Sequence, residues 1–380
     1  MVMTAQMKDY LAASQEELKQ LIRDLCAIPA PSHHEQQRAA FCKEWFEKAG
    51  GKGVYIDEAL NVVCPHHVTE DGPVVVFMAH TDTVFPDLEP MPFVETEETF
   101  QCPSVCDDTA NLAIMMICAR YFLRNDIPGD TGILFVANSC EEGLGNLKGC
   151  RAIVERYGSR MHALISFDGT RLDEITSRAV GSHRYRVTVK TEGGHSFGAF
   201  GNRNAIAVLS SMISTLYSVK VPVDGDSKTT YNVGTISGGT SVNTIAQDAQ
   251  MLYEYRSDSR SCLLQMQDMF YKVIAAYEAM GVTVDVELVG DRPCAGNVDP
   301  DAMAALEARS AESIRRIIGQ EPVYFSGSTD CNIPLSEGIP SVCLGLCVGR
   351  GAHTRTETLQ LSSLPRGSLY CMDFLCHYFS

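Results

Sequence analysis

No CxxC pair occurs in this 380-residue chain, no apolar run approaches the roughly eighteen residues of a membrane span, and no basic stripe offsets its acidic excess. Each absence narrows the function. Lysine and arginine number 31 against 47 aspartates and glutamates, a formal charge of −16 at pH 7, which argues against nucleic acid as a partner. That charge says little about a small substrate, for which one local arginine can decide. The 15 cysteines are odd in number and many lie inside apolar runs such as "SVCLGLC" and "MMICARYFL". Buried thiols in a reducing compartment explain them better than disulfides or a zinc–thiolate site. The first residues place Leu18, Leu21, Ile22 and Leu25 at helical spacing among charges and lack the apolar core of a signal peptide. There is no internal repeat and no low-complexity tract. What remains is ordinary globular composition, 45% hydrophobic and 21% charged, with room for a sizeable core and two domains. The expectation is a soluble protein of the cytoplasm, with neither nucleic acid nor membrane as a partner.

Apolar strands alternate with helical stretches through "GPVVVFMAH", "NLAIMMICARYFLRN", "TGILFVANSCEE", "GCRAIVERYG" and "HALISFDG". That alternation predicts an α/β domain with a largely parallel sheet. Before it, Ser32 is placed to cap a helix carrying Phe41, Trp45 and Phe46, closed by Gly50 and Gly51. From about Arg178 the pattern changes. In "SHRYRVTVK", Tyr185, Val187 and Val189 alternate with charged and polar residues, as on a strand with one wet face. The order β-α-β-β-α-β that follows is that of a ferredoxin-like unit inserted into the first domain, and the segment from "SIRRIIGQ" onward returns to complete that first domain.

Three predicted strands of the first domain end in potential ligands: His80, the pair Glu141 and Glu142, and Asp168. Asp107 and Asp108 precede a helix, and His353 follows a late apolar strand. Parallel strands share one carboxyl edge, so these groups converge there despite their separation in sequence. Imidazoles and carboxylates without a thiolate describe a site for zinc, with cobalt or manganese as alternatives. In "HTD", His80 and Asp82 face one side of an extended segment, so Asp82 can accept the imidazole N–H while the other nitrogen binds metal. The two glutamates could divide labour, one as a ligand and the other as a proton acceptor. Taken singly, each group has a plainer explanation: helix caps for Asp107 and Asp108, a turn at Asp168, solvated loops for Glu141, Glu142 and His353. Their joint arrival at one edge favours metal. The pairs His33–His34 and His66–His67 have no such companions and read as exposed loop residues.

The stretches "AHTDTVFP", "CDDTANLA", "CEEGLGNLKG", "FDG" and "AHTRTE" resemble, in order and spacing, the five metal motifs of the M20 metallopeptidases, a family that includes peptidase T, carboxypeptidase G, aminoacylases and acetylornithine deacetylase. The resemblance covers essentially the whole chain. It implies a catalytic di-metal domain of residues 1–178 plus 294–380 and an inserted lid and dimerisation domain of residues 179–293. It also implies two Zn2+ ions per chain: His80 and Asp168 on the first, Glu142 and His353 on the second, and Asp107 bridging. Glu141 becomes the general base, Asp82 the partner of His80, and the Asp107–Asp108 peptide is expected to be cis. "GGHSFGAFGNRNAI" resembles the family's lid motif, in which His195 would reach the partner subunit's active site and stabilise an oxyanion. "GGTSVNTIAQDAQMLYEYRSDS" resembles its substrate-binding strand pair, placing Asn243 and Arg256 at the substrate's carbonyl or carboxylate. Asp330 in "FSGSTDCN" reads as structural. The chain departs from many relatives at Thr109 and Ala110, and at "IAQDAQ", which lacks a proline frequent after the lid's Asn-x-Ile. No ligand is lost by these changes, but they leave the subfamily open.

The resemblance therefore implies a di-zinc hydrolase of a small peptide, a di- or tripeptidase of aminopeptidase type, working as a homodimer. The alternative within the fold is deacylation of an N-acyl amino acid. A dinucleotide-binding oxidoreductase, prompted by "GLGNLKG", fails because Lys148 stands where the fingerprint needs glycine and two glutamates precede the loop. A non-catalytic binding relative is disfavoured because every ligand and the proposed base are kept.

Overall fold

The computed structural model describes residues 1–379. The chain divides into two compact units, one formed by Met1–Ala179 with Gly296–Ser380 and the other by Val180–Ala295. Each has its own apolar core.

The first unit is built on an eight-stranded mixed sheet, in the order Tyr55–Ile56, Val62–His66, Gly132–Asn138, Val74–His80, Met161–Gly169, Ser341–Gly345, Glu174–Ala179, Val323–Gly327. Four central neighbours run parallel, and antiparallel pairs flank them. Every residue of Val74–His80 is buried, as its unbroken Val, Phe and Met run requires of a strand covered on both faces. Phe77 stacks on Phe135 and Phe167, with ring centroids at 5.9 and 6.2 Å. The helix Asn111–Asn125 is buried from Asn111 to Leu123, so its surroundings are apolar all round. The one guanidinium in that buried stretch, Arg120, is compensated by the Glu17 carboxylate and the Tyr10 hydroxyl. Gly367 lets the helix Leu364–Leu375 pass close to the sheet, since a Cβ there would lie 1.7 Å from the carbonyl oxygen of Leu346. All fifteen cysteines are free and buried. Among the described residues, no helix is long and apolar enough to cross a membrane.

Two local expectations are overturned. Ser32 caps no helix: the helix runs Gln36–Lys48, and the Ser32 hydroxyl donates instead to Asp82 at 2.6 Å. The buried, ionised carboxylate is the stronger acceptor, and its claim on the hydroxyl wins over the local cap. His66 is not an exposed loop residue. It ends the strand Val62–His66 in a buried position and donates from Nε2 to the Ile127 carbonyl at 2.6 Å, while His67 beside it is exposed.

The second unit is a four-stranded antiparallel sheet in the order Thr229–Gly238, Asp248–Ser257, Gly181–Lys190, Thr283–Arg292. The helices Ala205–Tyr217 and Arg260–Ala279 pack on one face through Tyr185, Val187, Val189, Met251 and Tyr253. The alternation in "YRVTVK" is therefore real burial on one face and partial exposure on the other.

Candidate metal centre

The carboxyl ends of the central strands meet at one edge. His80 closes its strand opposite Asn138 of the neighbouring one, so the segment leaving Asn138 carries Glu141 and Glu142 past the imidazole. Asp168 ends the strand on the other side. Asp107 and Asp108 lie in the kinked turn before the helix Asn111–Asn125, and the peptide between them is cis.

His80 Nε2 lies 3.0 Å from Asp107 Oδ1 and 3.8 Å from Asp168 Oδ1. On the far side of the same carboxylate, His353 Nε2 lies 3.1 Å from Asp107 Oδ2 and 3.1 Å from Glu142 Oε1. Asp107 therefore stands between two imidazoles, one oxygen to each. Two donor sets emerge, His80 with Glu141 and Asp168, and His80 with Asp107 and Glu142; within each, one donor atom per residue lies within 4.8 Å of the others. A third group, His66, His67 and Asp126, lies at the opposite edge of the sheet, where His66 pairs with Ile133. The Lys52 ammonium already sits 3.6 Å from the Asp126 carboxylate there.

The protonation states show what the edge lacks. Burial opposes charge on His80, yet hydrogen bonds to Asp107 and Asp82 outweigh it and hold the imidazole's pKa well above its usual value. Hydrogen bonds to Asp107 and Glu142 pull His353 up to about 10. Burial also opposes ionisation of Asp107, but its bonds to His353 and His80 keep it well below the carboxylate range. Asp168 goes the other way, pushed well up by burial and then by the charge of Asp107. Asp108 is likewise raised, chiefly by burial. His353 is exposed, but the carboxylates it joins are crowded and mostly buried, with too little positive charge among them, and divalent cations are the species that would relieve it. Imidazole and carboxylate donors without thiolate fit such ions.

Asp82 is used differently from the simple expectation. The closest partner of His80 Nδ1 is the main-chain carbonyl of Asp82, at 3.0 Å, with its carboxylate at 3.4 Å. The carboxylate instead accepts the backbone N–H groups of Glu141 and Glu142 at 2.9 and 3.0 Å. It orients the glutamates as well as the histidine. Four further residues escaped sequence reasoning. Glu357, fully buried, accepts the backbone N–H groups of Ser104, Cys106 and Asp107. Asn111 donates to Asp108 and to the carbonyls of Cys106 and Gly169, and accepts from the Leu346 N–H. Glu35 accepts the N–H of Cys140 at 3.0 Å, and Ser32 anchors Asp82. Glu357 ends the motif "AHTRTE" and Asn111 stands in "CDDTANLA", but neither motif marks these contacts. Asp330 is buried and accepts from the Asn138 side chain at 2.6 Å.

The family profile described as Peptidase family M20/M25/M40 matches residues 76–377. The chain belongs to this family. It is 27% identical over 375 residues to the uncharacterized protein YqjE of Bacillus subtilis (strain 168), covering 92% of this chain and 95% of that one. It is 25% identical over 317 residues to a succinyl-diaminopimelate desuccinylase of Pseudomonas syringae pv. syringae (strain B728a), covering 78% and 80%. Among solved structures, a tripeptidase from Staphylococcus aureus subsp. aureus Mu50 superimposes with a TM-score of 0.73 at 23% identity, covering 96% of this chain and 99% of that one. The last shows the fold, an M20 α/β architecture.

The remaining predicted residues of this M20 hydrolase lie in the second unit. His195 is exposed on a two-residue strand, Gly194–His195, paired with Thr244–Ile245. Its Nδ1 accepts the N–H groups of Phe197 and Gly198 at 3.3 Å. Asn243 stands on the adjoining loop, its carbonyl accepting the Ser196 N–H and its side-chain oxygen the Ser241 hydroxyl. Arg256, near the end of Asp248–Ser257, directs its fork onto Glu254 at 2.9 and 3.1 Å.

Proposed function

We propose that this chain holds two divalent ions, zinc by preference, and hydrolyses an amide bond in a small peptide as a di- or tripeptidase of aminopeptidase type. The observation that carries the reading is Asp107, with one oxygen on His80 and the other on His353. His80, Asp107 and Asp168 would hold one ion, and Asp107, Glu142 and His353 the other. Bound ions would polarise the scissile carbonyl and lower the pKa of water at the site. Glu141 is the general base: it is buried beside the donors, while its neighbour Glu142 is the one paired with His353. It takes a proton from the attacking water and returns it to the leaving amine.

The second unit is the lid and the dimer interface in this reading. With Nδ1 of His195 occupied as an acceptor, the neutral ring carries its proton on Nε2, a donor for an oxyanion. Asn243, its oxygen held by Ser241, offers its amide N–H groups. Arg256 would leave Glu254 for a substrate carboxylate. Phe197 and Phe200, each 90% exposed beside His195, support a loop covered by another subunit. His195 would then serve the site of the other subunit of a homodimer.

N-acyl amino acid deacylation is the second reading, favoured by the similarity to a desuccinylase. The two are separated by presenting zinc-loaded protein with a mixed pool of dipeptides, tripeptides and N-acyl amino acids, read by mass spectrometry with Glu141→Gln as control. Release of amino-terminal residues from peptides supports the first. Loss of acyl groups with peptides untouched replaces it with the second.

A further inference from the structure

We propose that the cavity beside Glu142 is the subsite for an uncharged, apolar side chain of the substrate residue at the scissile bond, with Leu88 and Leu144 determining its specificity. This rests on the amide-hydrolase reading above.

The cavity measures about 490 Å³, and three chain segments wall it. The Pro31–Ser32 turn binds Asp82, the Thr83–Leu88 segment follows Asp82, and the loop from Glu142 to Gly145 begins at a proposed donor. A substrate carbonyl beside Glu142 would therefore leave its neighbouring side chain at this opening. The walls are apolar, with Val84, Phe85, Leu88 and Leu144 among them. Leu88 is 66% exposed and Leu144 57%. Two large aliphatic side chains exposed in the same cavity as Glu142 give it the apolar lining that ligand clefts use.

The charge lining selects the class of occupant. Among the described residues, no lysine or arginine lines the cavity, and its one carboxylate is Glu142, already paired with His353. An acidic side chain would find no lysine or arginine in the lining to pair with, whereas a neutral aliphatic one needs none. His33 and His34 are exposed where they line the cavity. The walls are also preformed. The Thr83 N–H donates to the Ala30 carbonyl at 2.9 Å, and the Gly145 N–H to the Glu142 carbonyl at 2.7 Å. The Arg355 guanidinium lies over the Phe85 ring at 4.6 Å and binds Asp87 at 2.7 Å. Arg355 sits two residues from His353, so the cavity wall is clamped to the loop that carries a metal donor. A preformed apolar wall discriminates between side chains because little ordering accompanies binding.

The test is a series of short peptides and N-acyl amino acids carrying Ala, Val, Leu or Phe at each position flanking the scissile bond, measured with zinc-loaded wild-type protein and the double variant Leu88→Ser/Leu144→Ser. The wild type is expected to favour Leu over Ala by about tenfold or more in kcat/KM at one position. In the double variant that ratio should collapse towards one. Calorimetric binding of the same series to Glu141→Gln protein, with and without the two serines, reads the subsite without turnover. A Leu/Ala ratio that survives both substitutions overturns this inference while leaving the hydrolase reading intact. Acceptance of N-acyl amino acids alone overturns the peptide reading, and the ratio is then read on their amino-acid side chains. Neither turnover nor binding of any member overturns both.

Discussion

The carboxylate of Glu357 accepts the backbone N–H of Asp107 at 2.9 Å, across 250 residues of chain. Two further N–H groups, of Ser104 and Cys106, complete its shell at 3.0 and 2.7 Å. The turn that presents Asp107 to both imidazoles is thus held from below by one buried side chain. Glu357→Ala would orphan three buried donors at about 1–3 kcal/mol each, so a fall of several kcal/mol in unfolding free energy is expected, with Glu357→Gln intermediate. Burial raises its carboxyl from 4.5 to about 7. A raised acid destabilises the folded state as it ionises, so this group makes the metal-free protein less stable as pH rises from 4.5 to about 7. Denaturant midpoints of wild type and Glu357→Gln across that range check the sign; equal slopes would remove the effect.

Asp82 acts through others. Removing it in Asp82→Ala frees the backbone N–H groups of Glu141 and Glu142 and the Ser32 hydroxyl together. Metal affinity should drop about 10- to 100-fold, measured by competition with a chromogenic chelator. Unchanged affinity would show that the loops hold themselves.

Glu141→Gln keeps size and shape but loses the proposed base. Metal content should stay near two per chain by elemental analysis on the proposed reading, while turnover falls about 10²- to 10⁴-fold. Near-normal turnover would move the base elsewhere.

On the proposed reading, metal and protons compete for His353. Its imidazole, pulled up to about 10 by Asp107 and Glu142, keeps its proton at neutral pH in the metal-free protein. Zinc must displace that proton, so zinc uptake should release protons, and apparent affinity should rise with pH up to about 10. The stability from this ion pair has the opposite trend: it is fully present below 6.5 and is lost as pH rises through about 10. Calorimetry in buffers of different ionisation enthalpy counts the protons; a count of zero would contradict the ion pair.

His195→Ala should lower kcat by about 10²-fold or more, as for an oxyanion donor, with metal content unchanged. If the imidazole serves the other subunit, co-expression with a His80→Ala subunit should restore activity to mixed dimers. Confirmed mixed dimers without activity would confine His195 to its own subunit or remove it from the reaction.

The ends of the apolar runs were legible in the sequence. "VVVFMAH", "ILFVANSCEE" and "ALISFD" each mark where a buried strand reaches the sheet edge, because a continuous apolar run and the first charged residue after it are local facts of burial. The second unit's layout was equally legible from its two-residue alternation. Ser32 shows the limit: it reads as a helix cap, yet its hydroxyl belongs to Asp82 fifty residues away. The same holds for the His66 imidazole, whose burial comes from a strand rather than a loop.

The sequence by itself determined most of the strands and helices and the imidazole and carboxylate groups at their ends, since these depend on burial patterns and side-chain chemistry within short segments. Only the tertiary structure decided how the donors are held. Glu357, Asn111 and Asp82 act on backbone N–H and C=O groups that every residue possesses. Such partners leave no mark in the sequence until folding brings them within hydrogen-bonding distance.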